Sequence, residues 1–461
     1  MIALHDNCRS HPLGGQVKVR DFPKKPGVLP PLTLGGYQAA GNYLFSFHDG
    51  DEEKRGKRNQ DDALILALTE EAEAGWVAQT GNYVGSVTYH KHRFEIRSRF
   101  GDAFVQRMLN FSNDIYVDDW TSPAERIDAS KPDYARALIF MMFVQALEKA
   151  HLLGLPKAYR SIRHHEHVVR GRIDIPRFIR EDLPFAGRVA SVAREQLPSQ
   201  SIIDVLAKAI QVIDRSGGAG MLLRIAHVRM KLVSLRRNKA VDAATIRQAK
   251  TEKALANPIF APYRKVLRLA EVIIQLDSAR DAPDGSTGMA GLLVNVAELF
   301  EIYVGKLLAL HFPEWSVSSP AIRLHAGRFY ERSIIPDIVM AHEDGRRVVV
   351  LDTKYKRMNF LGSGRYGMGD VDREDFFQIA TYMSHFEHRP GKQLVVGGLL
   401  YPLAEEPDIQ RCHDRWMGDE TPKFIVDGIA VPKDDAGGAA DVLASEVRFV
   451  ARLAALLDIH S

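Results

Sequence analysis

The sequence predicts an α/β multidomain protein with a β-rich N-terminal domain (1–125), a basic, mostly helical middle region (126–280) and a C-terminal α/β domain on a mixed sheet (281–461). Strand-like segments crowd the first region, helical periodicity dominates the second, and helix and strand patterns alternate over the third. At 461 residues, with 46% hydrophobic and 26% charged positions, the chain can bury sizeable cores and exceeds one ordinary domain. The same proportions exclude wholly disordered, fibrous and collagen-like classes.

In the first region, residues 42–48, 83–89 and 93–99 have strand character, and helices are expected over 61–74 and 102–112. The charge run at 49–58 reads as an exposed loop tip. A helix over 131–154 opens the middle region, because Tyr134, Ala137, Phe140, Phe143 and Leu147 recur at helical spacing. Strand-like stretches at 159–169 and 171–175 follow, then helices at 201–213, 221–235 and 262–276. Residues 277–288 have the Gly/Pro/Ser/Asp composition of a linker. Beyond them come a helix over 291–310, strands at 317–324, 328–340, 347–355 and 393–401, a helix over 372–386, and a closing helix at 446–457.

The net charge of +3 hides an asymmetry. Residues 151–280 hold 24 Lys and Arg against 11 Asp and Glu, a local +13 that leaves −10 for the rest. Such a concentration suits a polyanion, since each cation set against a phosphate releases condensed counterions. A solvated helix surface would have the same composition. Arg236, Arg237 and Lys239 are the candidate DNA contacts; the alternative is that they end a helix, where cations offset the macrodipole. The longest apolar stretch, 137–155, is interrupted by Gln145, Glu148, Lys149 and His151, and Asp6, Cys8, Arg9 and His11 leave no apolar signal core. A chain that neither spans a membrane nor is secreted is therefore expected. Two cysteines, Cys8 and Cys412, make no disulfide framework and fit a reducing cytoplasm.

The sharpest feature is Ile335-Pro336-Asp337 followed by Asp352-Thr353-Lys354. Between them, Asp344-Gly345 favours the positive φ of a tight hairpin. With those two residues as the turn, Asp337 lies opposite Asp352, and paired Cβ atoms are then about 4.5–5.5 Å apart. Strand period two puts Lys354 on the face of Asp352 and points Thr353 away. Two carboxylates forced together share a proton or bind a cation, and hard oxygen ligands suit Mg²⁺. With Lys354 beside them, the parts of a phosphodiester hydrolase are present. A surface ion pair would give the same Asp-x-Lys spacing; the hairpin register and the apolar run Val348-Val349-Val350-Leu351 favour the site. On the preceding helix, Glu301, or else Glu298, is the candidate third carboxylate. Gln378 and Tyr382, four apart, share a helix face from which they would contact a phosphate or brace Lys354.

Pro336-Asp337, Asp352-Thr353-Lys354 and Gln378-x-x-x-Tyr382 resemble the PD-(D/E)xK nuclease superfamily, with the QxxxY helix of its RecB-like branch. Residues 85–100, Arg170-Gly171-Arg172-Ile173-Asp174, Leu299-Phe300-Glu301 and the overall order are similar to the McrC family, the nuclease subunit of McrBC-type modification-dependent restriction systems. The resemblance implies a restriction-endonuclease-like C-terminal domain with Asp337, Asp352, Lys354, Gln378 and Tyr382 in the catalytic site. Asp337, Asp352, Thr353 and Glu301 would hold Mg²⁺. It further implies double-stranded DNA as substrate and a McrB-like AAA+ GTPase hexamer as partner, docked on residues 1–125. The sequence has no G-x-x-x-x-G-K-[ST], so nucleotide-driven steps would come from that partner. The competing readings are a self-sufficient RecB-like repair nuclease and a non-catalytic adaptor that stimulates an NTPase motor on DNA.

Two further features are set aside. His164, His165, Glu166 and His167 lack a distant ligand at zinc spacing and read as surface or DNA-facing histidines. Residues 362–369 are glycine-rich without opening a helix after a strand, and read as a flap beside the metal site.

Overall fold

The computed structural model describes residues 2–13, 29–39, 43–45, 63–71, 75–89, 92–112, 134–280, 292–326, 331–356, 358, 371–407, 413–418, 422–431 and 439–458. The runs 49–58 and 362–369, and the linker beyond residue 280, lie outside them. The chain divides into two compact units, one of residues 1–136 with 289–461 and one of residues 137–288. The first and last regions of the sequence thus share a unit, where the sequence reading drew them as separate domains.

The N-terminal part of the first unit comprises β1 (Ile2–His5), β2 (His11–Pro12), β3 (Leu32–Thr33), α1 (Leu34–Ala39), β4 (Tyr43–Phe45), β5 (Leu64–Glu71), β6 (Gly75–Thr80), β7 (Tyr83–Tyr89), β8 (His92–Arg97) and α2 (Asp102–Ser112). Four strands form a sheet in the order β2-β6-β5-β3. The helix expected over 61–74 is the strand β5, paired antiparallel with β6 from Leu66↔Thr80 to Glu71↔Gly75. Its apolar run is too short for periodicity to separate helix from strand. Pairing decides it, and Ile65, Leu66 and Leu68 enter a core with Trp76, Phe94 and Ile96.

The second unit holds α3 (Tyr134–His151), β9 (Lys157–Glu166), β10 (Arg172–Ile173), α4 (Ile175–Glu181), β11 (Val189–Pro198), α5 (Gln200–Arg215), α6 (Ala226–Leu235), α7 (Ala243–Lys250) and α8 (Tyr263–Arg280). Helix α5 buries residues on most of its circumference, Ile202, Leu206, Ile210 and Ile213 among them, and is the centre of the helical part. The rest is a three-stranded sheet in the order β10-β11-β9. There β9 and β11 pair antiparallel from Lys157↔Pro198 to Glu166↔Val189. The basic region is therefore part sheet, since β11 and the short α4 escaped the sequence reading.

The first unit resumes with β12 (Leu292–Asn295), α9 (Val296–His311), β13 (Trp315–Ser318), β14 (Ile322–Ala326), β15 (Glu331–Ile334), β16 (Ile338–His342), β17 (Arg347–Thr353), α10 (Arg373–Glu387), β18 (Gln393–Leu403), β19 (His413–Arg415), β20 (Lys423–Ala430) and α11 (Ala439–Asp458). The helix expected from residue 291 begins only at Val296, because the Asn295 side chain caps it by accepting from the N–H groups of Ala297 and Glu298. The residues before the cap form β12, antiparallel to β7 and parallel to β4. It completes a sheet of order β1-β8-β7-β12-β4. The strands expected over 317–324 and 328–340 are each two strands, interrupted around Pro320 and Pro336, which have no N–H to give a ladder. The remaining sheet has the order β13-β16-β17-β18-β20-β19. Its centre is parallel (β17, β18, β20) and β16–β17 is an antiparallel hairpin. Val348 to Leu351 are buried, as a central strand requires.

Candidate active site

The site grows from the β16–β17 hairpin. Gly345 takes φ 73°, open to glycine without strain. Asp344 Oδ1 accepts the N–H groups of Arg346 (2.7 Å) and Arg347 (3.0 Å), which holds its carboxyl well below the usual range. The ladder runs Ile338↔Leu351, Val339↔Val350, Met340↔Val349 and Ala341↔Val348, the register read from the sequence. It stops one pair short of Asp337 and Asp352. Past the last pair, Asp337 Oδ2 accepts from the Thr353 N–H at 2.9 Å and the Thr353 hydroxyl at 2.8 Å. Thr353, expected to point away from the site, therefore anchors one of its carboxylates.

Asp352 is fully buried, with β17 paired to β18 at Asp352↔Leu399. Lys354 Nζ lies 2.6 Å from its Oδ2, while its Oδ1 has no hydrogen-bond partner among the described residues. Burial, then the charge of Asp337, pushes the Asp352 carboxyl upward, against the opposing pull of Lys354. Burial works against the Lys354 ammonium, but Asp352, Asp337 and Asp375 outweigh it and lift its pKa above the ordinary value. At neutral pH Lys354 is a cation.

Gln378 and Tyr382 sit one turn apart on α10. Lys354 Nζ donates to Gln378 Oε1 (2.9 Å), Gln378 Nε2 donates to the Tyr382 hydroxyl (2.8 Å), and that hydroxyl donates to the Ile335 carbonyl (3.2 Å). Burial raises the Tyr382 pKa, so the phenol keeps the proton it donates. Gln378 and Tyr382 thus reach Lys354 through one hydrogen-bond chain.

Two residues missed in the sequence belong to the same cluster. Asp375 Oδ1 is 3.9 Å from Lys354 Nζ, and its other oxygen pairs with Lys356. Lys356 Nζ also lies 3.5 Å from Asp372 Oδ2. Asp375 precedes Gln378 by three on the helix, and Lys356 follows Lys354 by two. Burial and then the Glu298 charge raise the pKa of Tyr83. Among the described residues, no group of three or more His, Cys, Asp or Glu stands in a metal-holding arrangement. The structure thus sets Asp337 beside Asp352, whose carboxyl feels the Asp337 charge. The buried Asp352 Oδ1, without a hydrogen-bond partner among the described residues, fits a cation.

Of the cations proposed for DNA, Arg236 is engaged within its own unit. Its guanidinium donates to Gln211 Oε1, the Asn238 carbonyl and the Lys239 carbonyl. Arg237 and Lys239 are exposed. The histidines on β9 and just after it serve different partners: His164 meets Glu195 at 3.0 Å, His165 meets Asp182, and His167 Nδ1 meets the Gly187 carbonyl at 2.7 Å.

The family model described as McrBC 5-methylcytosine restriction system component matches residues 78–402. No curated protein matches the sequence. Among solved structures, the chain is similar to the refined half-complex from the tetradecameric assembly of Thermococcus gammatolerans McrB AAA+ hexamers with bound McrC. That match has 12% identity and a TM-score of 0.53, and covers 99% of each chain. A cryo-EM structure of the Thermococcus gammatolerans McrBC complex matches 67% of this chain and 87% of that chain at 12% identity, with a TM-score of 0.36. At such identity the first likeness speaks to the fold, a mixed α/β arrangement. No described helix is long and apolar enough to cross a membrane.

Proposed function

The chain belongs to the family of McrBC 5-methylcytosine restriction system components, and from that premise we propose that it is the nuclease subunit of such a system, a Mg²⁺-dependent endonuclease of the PD-(D/E)xK type acting on double-stranded DNA. The observation that carries this reading is the buried Asp352 beside Asp337, with the Lys354 ammonium 2.6 Å away and braced by Gln378. A surface ion pair would not bury a carboxylate whose second oxygen lacks a partner.

Asp337, Asp352 and the Thr353 carbonyl would hold the metal. When bound, Mg²⁺ supplies a Lewis acid that lowers the pKa of water and offsets charge on the phosphate. The Lys354 ammonium, 2.6 Å from Asp352, would orient the attacking water or help deprotonate it. Gln378 and Tyr382 fix that cation through the Ile335 carbonyl, two residues before Asp337, which ties both strands of the hairpin to one helix. On the second unit, the exposed Arg237 and Lys239 would contact a DNA backbone.

The similar assembly from Thermococcus gammatolerans is one of McrB AAA+ hexamers with bound McrC, and this chain is proposed to work with an AAA+ GTPase of that kind. The surface proposed for a protein partner lies on the second unit, in place of the residues 1–125 expected from the sequence. Helix α4 buries none of its residues, and Val168, Ile173, Ile175, Ile179, Leu183 and Phe185 are exposed around it. Exposed apolar side chains gathered in one stretch of chain support an interaction site there. Ile175→Asp with Phe185→Asp is expected to remove partner binding at micromolar concentrations in a pull-down, with the melting temperature within about 2 °C of wild type, as exposed substitutions usually leave it. Undiminished binding would place the partner elsewhere.

The whole reading is tested by cleavage of 5-methylcytosine-containing duplex DNA in Mg²⁺, with and without the cognate AAA+ protein and GTP. Cutting is expected only when both are present. Robust cutting by the chain alone would favour a self-sufficient nuclease, and GTPase stimulation without cutting under any condition an adaptor.

A further inference from the structure

The strand that carries Asp352 is gripped where it leaves the sheet. The Lys354 N–H donates to the Leu400 carbonyl at 2.8 Å, and Lys354 O then accepts from the Lys356 N–H at 2.8 Å, so the main chain turns at Tyr355. Tyr355 is buried, 4% exposed. Its carbonyl accepts from Arg99 Nη2 at 2.8 Å, and its hydroxyl lies 3.0 Å from Ser98 Oγ. Its ring meets Phe100 edge-on at 5.0 Å and Phe300 at 5.8 Å.

Arg99 is itself held by the N-terminal strands. Its N–H donates to Asp6 Oδ1 (2.7 Å) and its Nη1 to the Asn7 carbonyl (3.1 Å). The guanidinium lies over the Phe100 ring at 4.9 Å and the Tyr355 ring at 5.5 Å. One side chain thus joins the β1 end, the β8 end and the residue next to Lys354. The α10 brace fixes the lysine from its ammonium end; Arg99 and Ser98 fix it from its backbone end.

We propose that Arg99 is a positioning residue for Lys354, through which the N-terminal strands set the geometry of the Asp352–Lys354 segment. The inference rests on the nuclease reading for its effect on cutting, though the grip itself does not. Constellations of this kind work only when reacting groups are held closely, and a displacement of about 1 Å costs on the order of a hundredfold in rate. The N-terminal strands are in this view a part of the nuclease site rather than a separate docking module.

The test uses the full chain with Arg99→Ala, Arg99→Lys and Tyr355→Phe, and Lys354→Ala as the reference for lost chemistry. Two readouts are taken: single-turnover cleavage at saturating DNA, with the DNA dissociation constant, and amide hydrogen exchange resolved along residues 347–356. Arg99→Ala is expected to slow cleavage about a hundredfold with DNA affinity unchanged, and Arg99→Lys, which keeps one donor, to recover part of that rate. Exchange should rise at residues 353–356 and stay at wild-type levels over 347–351. Tyr355→Phe, which keeps the ring and the carbonyl, should show a smaller change of the same pattern and covers the case in which Arg99→Ala does not fold. Exchange that rises evenly along β17, or wild-type exchange with wild-type cutting, overturns the proposal. If Lys354→Ala cuts as well as wild type, the nuclease reading falls, and the local exchange pattern still decides whether Arg99 holds this segment.

Discussion

Asp352→Asn is expected to reduce DNA cleavage by at least about a thousandfold while leaving the protein no less stable, because a ligand of the metal that would act on the phosphate is removed and a buried charge with it. The carboxyl of Asp352 titrates above its ordinary value in the folded protein, burial being the first cause and Asp337 the second. Between the unfolded and folded pKa values the unfolded chain has already released its proton and the native state has not. Wild-type stability therefore falls as pH rises through that window, and the asparagine variant lacks the fall. Its melting temperature relative to wild type should climb from pH 4 toward neutrality and level off above the folded pKa. Mg²⁺ reverses the comparison. At a hundred times its dissociation constant a ligand specific for the native state contributes about 2.7 kcal/mol, which wild type should display as a raised melting temperature and Asp352→Asn should not. Lys354→Ala should match the loss of cleavage. Substantial cutting by either variant, or an equal Mg²⁺ shift in Asp352→Asn, would remove the metal from this pair.

The hairpin was legible before any coordinates because two local rules agree on it. Asp344-Gly345 names the turn, and strand period two then assigns every partner up to Ile338↔Leu351. The Gln378–Tyr382 face was legible for the same kind of reason, four residues being one turn of a helix. What escaped is non-local or ambiguous. Strand β12 looked like the start of α9, since Leu292 to Val294 are apolar in either period and only the pairing with β7 and β4 makes them a strand. Helical periodicity says which face is buried, not which site that face meets, and beyond Asp352 a further carboxylate near Lys354 is Asp375, 3.9 Å away. That residue was hidden by its position, since an acid in the first turn of a helix is already explained by the macrodipole.

Arg107→Ala is expected to destabilise the first unit by about 3–5 kcal/mol, the usual consequence of leaving one partner of a buried ion pair uncompensated. Arg107 on α2 and Glu446 on α11 are both buried and meet in a bidentate pair, Nε to Oε1 at 2.8 Å and Nη2 to Oε2 at 2.7 Å. The Tyr303 hydroxyl on α9 donates to the same Oε1 at 2.6 Å, and burial, then the charge of Glu446, holds that phenol well above its usual pKa. The guanidinium also lies 4.5 Å over the Phe111 ring. Three helices, one from the N-terminal region and two from the C-terminal region, therefore converge on a single carboxylate. Without Arg107 that charge has the Tyr303 hydroxyl to face it and no cation from α2, and the midpoint of urea denaturation should drop accordingly. Replacing all three polar groups together, by Arg107→Met, Glu446→Leu and Tyr303→Phe, should recover most of the loss, because apolar residues of similar volume need no compensation there. An unchanged midpoint for Arg107→Ala would mean that this network is not coupled to folding. The same contacts bear on any truncation of residues 1–125, which would remove Arg107 together with the strand β7 that pairs with β12. Such a chain is expected to unfold in its first unit, so a loss of partner-dependent cutting on truncation would report lost structure, and docking is better probed by the exposed side chains of α4.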